Sequence, residues 1–86
     1  DMHYQLEVIQ LIRRLVDEQG LSVIIIVHDI NLAAQYADRV IALKNGRICH
    51  NGTIKSTMQP DILRSIFNVD MQLLSHPITG HPVAVA

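Results

Sequence analysis

The 86-residue chain sets seven Lys or Arg against eight Asp or Glu, for a formal net charge of -1, and is 49% hydrophobic and 17% charged. That balance excludes a nucleic-acid binder, because Tyr4, Tyr36 and Phe67 are not accompanied by the basic cluster that such a face requires. Cys49 stands alone, so no internal disulfide or CxxC site exists, and the longest apolar run, Val23 to Val27, is far short of the roughly 18 to 20 residues needed to cross a bilayer.

A domain of this size buries only about 60 to 65% of its unfolded surface. The sequence opens at Asp1, with no initiator methionine, and runs almost at once into a helix. The expectation is a single partial domain over residues 1–86, poorly soluble or self-associating by itself.

From His3 to about Glu18, Leu6, Ile9, Ile12 and Val16 recur at helical spacing, widened by Val8, Leu11 and Leu15, which predicts an amphipathic helix. Gly20 is suited to its C-terminal cap. Val23 to Val27 is entirely β-branched without polar alternation, which predicts a central parallel strand covered on both faces. Asp29 follows as an N-cap for a short helix from Ile30 to Ala37.

Arg39 to Lys44 reads as a strand, and Asn45-Gly46 as a type I′ turn leading into the return strand Arg47 to His50. A second pair, Asn51-Gly52, predicts another bend. The sheet would then mix parallel and antiparallel pairs. Pro60 suits the first turn of a helix whose apolar face is Ile62, Leu63, Ile66 and Phe67. Met71 to Leu74 and Val83 to Val85 are candidate edge strands around a loop containing Pro77, Gly80 and Pro82.

Among the residues able to do chemistry, His28 stands out by position, since ligands in open α/β sheets sit beyond the carboxyl ends of strands. It could act as a general base, donate to an anionic ligand, bind a metal, or merely cap a strand end. His3, His50, His76 and His81 show no metal-ligand spacing and read as solvated surface histidines, so no metal site is expected. A His28-Asp29 dyad is disfavoured because adjacent residues at such a junction point apart, and no GxSxG nucleophile is present. Asp1 reads as a helix N-cap.

The stretch Val27-His28-Asp29-Ile30-Asn31-Leu32-Ala33-Ala34-Gln35-Tyr36-Ala37-Asp38-Arg39-Val40, continuing through Lys44-Asn45-Gly46-Arg47-Ile48, resembles the region around the switch histidine of ABC transporter ATP-binding subunits. The wording of the helix, with His76-Pro77-Ile78-Thr79-Gly80-His81-Pro82, looks most like importers of iron-siderophore, haem or cobalamin-type complexes. The resemblance implies an α/β fold, the C-terminal fragment of a P-loop NTPase (RecA-like) ATP-binding domain, with a buried parallel strand, a β-hairpin and flanking helices. His28 would be the catalytic residue contacting the γ-phosphate of ATP, and Asp1 would lie at the interface between two ATP-binding subunits. The parent would use ATP and Mg2+, pair as a homodimer, bind transmembrane permease subunits, and sit in the cytoplasm against the inner face of the membrane without inserting.

The sequence departs from the family by lacking a P-loop G-x-x-x-x-G-K-[ST], the glutamine loop, the LSGGQ-type signature and the strand bearing the magnesium-binding aspartate and catalytic glutamate. Alone, the 86 residues are therefore expected to be inactive and to bind neither ATP nor Mg2+ tightly. A degenerate association module without catalysis is the alternative. A small histidine-dependent hydrolase is a third possibility, but it lacks a nucleophile or metal set.

Overall fold

A computed structural model describes residues 2–86. Helix α1 (Met2–Gln19) forms where the apolar spacing predicts it, with Ile9 buried and Leu6, Val8, Ile12 and Val16 half-buried on one face. It ends at Gly20, whose φ of 66° is the left-handed cap conformation and whose N–H donates to the Val16 carbonyl at 3.1 Å. On the exposed side, His3 pairs with Glu7 at 2.9 Å and Arg13 with Asp17 at 2.6 Å, both one turn apart.

The next segment overturns the expected architecture. Val23 to Val27 forms no strand, and Ile24 and Ile26 are 94% and 86% exposed. β-branched composition favours extended backbone, but a strand exists only where a neighbour takes up its N–H and C=O groups. Among the described residues no strand lies alongside. Both sheets are two-stranded and antiparallel, so the mixed sheet and the RecA-like fold class built on a buried parallel strand are not what this chain forms.

Helix α2 (Ile30–Tyr36) begins at Asp29, whose carboxylate accepts from the Asn31 N–H, and ends one residue earlier than the expected Ala37. Strands β1 (Arg39–Lys44) and β2 (Arg47–Thr53) form the expected hairpin, with Asn45 and Gly46 at φ of 53° and 74°, both positive as a type I′ turn requires. A bulge places Ala42 opposite His50 but Leu43 opposite Ile48, leaving Cys49 as the extra residue.

The bend expected at Asn51-Gly52 is absent, for β2 runs on to Thr53 with Gly52 opposite Val40. Glycine serves there for space instead: a Cβ would collide with Ser56 Oγ and lie 3.1 Å from His50 Nε2. Thr53 then caps a single-turn helix, α3 (Ile54–Thr57), by accepting from the Ser56 N–H.

Helix α4 (Pro60–Phe67) starts on its proline and closes at Asn68, which has φ of 59°. Strands β3 (Gln72–Ser75) and β4 (Pro82–Val85) pair antiparallel, Gln72 opposite Val85 and Ser75 opposite Pro82. The core lies between α2, the α3–α4 unit and β4, where Ala34, Met58, Leu63 and Ala84 are buried with Ile30, Ile54, Met71 and Leu73 packed around them. Among the described residues no helix is long and apolar enough to cross a membrane.

Candidate functional site

His28 sits at a bend between the unpaired apolar segment and α2, with an exposed side chain that makes no hydrogen bond to any described residue. The local sequence explains the bend. Asp29 adopts extended φ and ψ of -115° and 111°, turning its carboxylate back to the Asn31 N–H at 2.9 Å, while its carbonyl accepts from Ala33 to open the helix. The Asp29 carboxylate caps the helix through one oxygen, and no hydrogen bond joins it to the neighbouring imidazole among the described residues.

The imidazole lines a cleft of about 320 Å³ between α1 and the segment 25–29, whose walls are largely Tyr4, Val8 and Ile9 on one side and Ile25 and Val27 on the other. Leu32 of α2 closes one end. No lysine or arginine contributes to this lining, so the histidine is its one potential cation, beside the acidic Asp29. Chemically, the arrangement offers an anionic group the exposed His28 ring, with the Gln5 amide also in the lining, at the rim of a largely apolar wall.

Two polar clamps hold this corner to the remainder of the molecule. Arg13 of α1 donates to the Tyr36 carbonyl at 2.9 Å and to Asp38 at 3.0 Å, besides its pair with Asp17, and hydrogen bonding to both carboxylates drives its pKa upward. The same bond from Arg13 holds the Asp17 carboxyl below its ordinary range. At the other end of α2, Asn31 Nδ2 donates to the Ala84 carbonyl at 3.0 Å and its Oδ1 accepts from the Ala84 N–H at 2.7 Å.

Asn31 escaped the sequence reasoning. The structure shows it half-buried inside a short helix, a place where asparagine is a poor former, but nothing in the sequence points to its partner 53 residues away.

Asp1 lies outside the described residues. The remaining histidines are not simply solvated. His50 is half-buried, with Nε2 3.0 Å from Thr57 Oγ1, and the His76 and His81 rings stack at 4.7 Å within the β3–β4 loop. His76 Nδ1 there accepts from the Ile78 and Thr79 N–H groups. No group of three or more His, Cys, Asp or Glu among the described residues could hold a metal ion.

Comparison with known proteins shows what the chain is similar to. The chain is homologous to the ATP-binding proteins of ABC transporters, and it spans about a third of the length of the curated relatives it matches. Those relatives are import proteins for iron chelates and haem. Over 85 residues it is 40% identical to the iron(3+)-hydroxamate import ATP-binding protein FhuC of Bacillus subtilis, covering 99% of this chain and 32% of that protein. Over 84 residues it is 39% identical to the hemin import ATP-binding protein HmuV of Photobacterium damselae, covering 98% and 30%. Its fold matches that of a metal-chelate type ABC transporter in an inward-facing conformation, with a TM-score of 0.79 at 20% identity over 100% of this chain and 36% of the other. No protein-family model matches the chain.

Proposed function

We propose that these residues form the histidine-bearing part of an ATP-binding subunit whose whole powers import of an iron-siderophore, haem or cobalamin-type complex. The observation that carries this is His28, exposed and unbonded at the rim of a cleft and immediately ahead of a capped helix. ATP with Mg2+ supplies the transferable phosphoryl group and the charge neutralisation that its transfer requires. The imidazole donates an N–H to a γ-phosphate oxygen and helps to orient the attacking water, bringing no competing negative charge.

The fit to a nucleotide is partial within these residues. A free N–H donor suits a phosphate oxygen, but the cleft provides no second cation and the sequence no glycine-rich cradle. In this reading the phosphate-holding groups come from the rest of the subunit, since these residues span 32% of the length of the Bacillus subtilis relative. A second ATP-binding subunit and transmembrane permease subunits complete the assembly on the cytoplasmic face of the membrane.

The purified 86 residues are expected to show no ATP hydrolysis above background, and robust turnover would refute the proposal. In the full-length subunit, His28→Ala should reduce kcat by about a hundredfold while leaving nucleotide affinity largely intact, since one transition-state donor is worth on that order. Unchanged turnover would sink the assignment.

A further inference from the structure

The His28 ring has no hydrogen-bonding partner among the described residues, so its position is set by the backbone that follows it. That backbone enters α2, a helix of seven residues, far below the length at which a helix is stable by itself. Something outside α2 must therefore fix where its first turn lies. Arg13 holds the far end, at Tyr36 and Asp38. At the near end the fixed point is Asn31, three residues from the histidine.

Both ends of the Asn31 amide engage one residue, Nδ2 donating to the Ala84 carbonyl at 3.0 Å and Oδ1 accepting from the Ala84 N–H at 2.7 Å. This is the pairing one residue of a strand would make with an adjacent strand, performed by a side chain on the free edge of β4. Its backbone N–H is meanwhile held by Asp29, so the loop His28-Asp29-Ile30-Asn31 is tied at both the cap and the amide. Ala84 is itself immobilised, buried in the core beside Ala34 and Leu63, with β4 paired to β3 along its whole length.

We propose that Asn31 is the positioning residue of the His28 site and that the C-terminal β3–β4 hairpin, through Ala84, sets the place of the switch histidine. This rests on the proposed role of His28 at the γ-phosphate. The contact between hairpin and helix then serves turnover as well as folding. A displacement of the C-terminal hairpin then acts on hydrolysis through this amide, beside the packing of Ala84 on Ala34.

The test uses the full-length subunit with Asn31→Asp, Asn31→Ala, His28→Ala and the double variant Asn31→Asp/His28→Ala. Aspartate keeps the acceptor for the Ala84 N–H but turns a carboxylate oxygen on the Ala84 carbonyl; alanine removes both bonds. The expected result is a kcat lower by on the order of tenfold in both single Asn31 variants, with KM for ATP within about twofold, because a misplaced group loses transition-state but not ground-state contacts. In single-turnover measurements the double variant should be no slower than His28→Ala alone.

Unchanged kcat in Asn31→Asp beside a crippled His28→Ala would overturn the positioning role while leaving the histidine's function standing. Equal proportional losses in the presence and absence of His28 would overturn it too, by showing that Asn31 acts elsewhere. Full turnover in His28→Ala would instead remove the underlying function, and this inference with it. Should Asn31→Ala fail to fold, Asn31→Asp decides alone, provided its circular dichroism and ATP affinity match the unmodified subunit.

Discussion

Thr57 gives the sharpest test of how the hairpin and the α3 turn are joined. It is fully buried, its Oγ1 donating to the Thr53 carbonyl at 2.6 Å and lying 3.0 Å from His50 Nε2. Since the hydroxyl proton is committed to the carbonyl, the histidine nitrogen must be the donor in the second bond, which assigns the proton to Nε2. Thr57→Val keeps the shape and deletes both bonds. The Thr53 carbonyl retains the Ser56 hydroxyl at 3.0 Å, and half-buried His50 can reach water, so neither group is fully stranded.

The expected cost of Thr57→Val is therefore that of two ordinary hydrogen bonds, about 1–3 kcal/mol in total. For a domain of this size, each kcal/mol lowers Tm by about 4–8 °C. Urea denaturation followed by circular dichroism reads it, with Ile24 and Ile26 changed to Lys in both proteins to suppress association. In a His50→Phe background the same substitution should cost measurably less, because one of its bonds is already gone. A Thr57→Val stability within about 0.5 kcal/mol of the parent, at unchanged m, would refute the bonding scheme.

Two further outcomes follow from the surface. Ile24 and Ile26, at 94% and 86% exposure, would each gain about 1.5–3 kcal/mol on burial, so the chain should self-associate at micromolar concentration and Ile24→Lys/Ile26→Lys should shift sedimentation toward monomer. A sharp monomeric peak with a cooperative melt for the unmodified chain would contradict this. Asp17 is held below its ordinary carboxylate range, first by the hydrogen bond from Arg13. Its folded form thus binds fewer protons than the unfolded one, and its contribution is present above the ordinary aspartate pKa and lost as pH falls through the folded value. The Tm difference between the parent and Asp17→Asn should be small, because the pair is exposed, and should shrink as pH falls from neutral through the ordinary aspartate pKa and below it. A difference that persists or grows in acid would reverse that sign.

Local chemistry was legible in the sequence wherever a residue acts on its own neighbours. Gly20 at the end of α1, Asp29 at the cap of α2, Asn45-Gly46 in the turn and Pro60 at the start of α4 all do in the structure what their side chains dictate. Asn51-Gly52 misled because the same dipeptide that favours a turn also suits a crowded strand, and only Ser56 and His50, packed against Gly52, distinguish the two. Val23 to Val27 misled more seriously, since β-branched composition records a preference whose fulfilment depends on a second strand. His28 was expected at the carboxyl end of a buried strand and stands instead at a bend after an unpaired segment, and its support was not legible either. The Asn31–Ala84 clamp joins residues 53 apart, and no pattern along the chain announces such a contact.

The central claim is that His28 senses the γ-phosphate. It is tested most directly by the ring 15N resonances of His28 in the full-length subunit, titrated with a non-hydrolysable ATP analogue and separately with ADP, both in the presence of Mg2+. The expected result is a shift of the His28 signals with the triphosphate and none with the diphosphate. An equal response to both nucleotides, or to neither, would contradict the assignment.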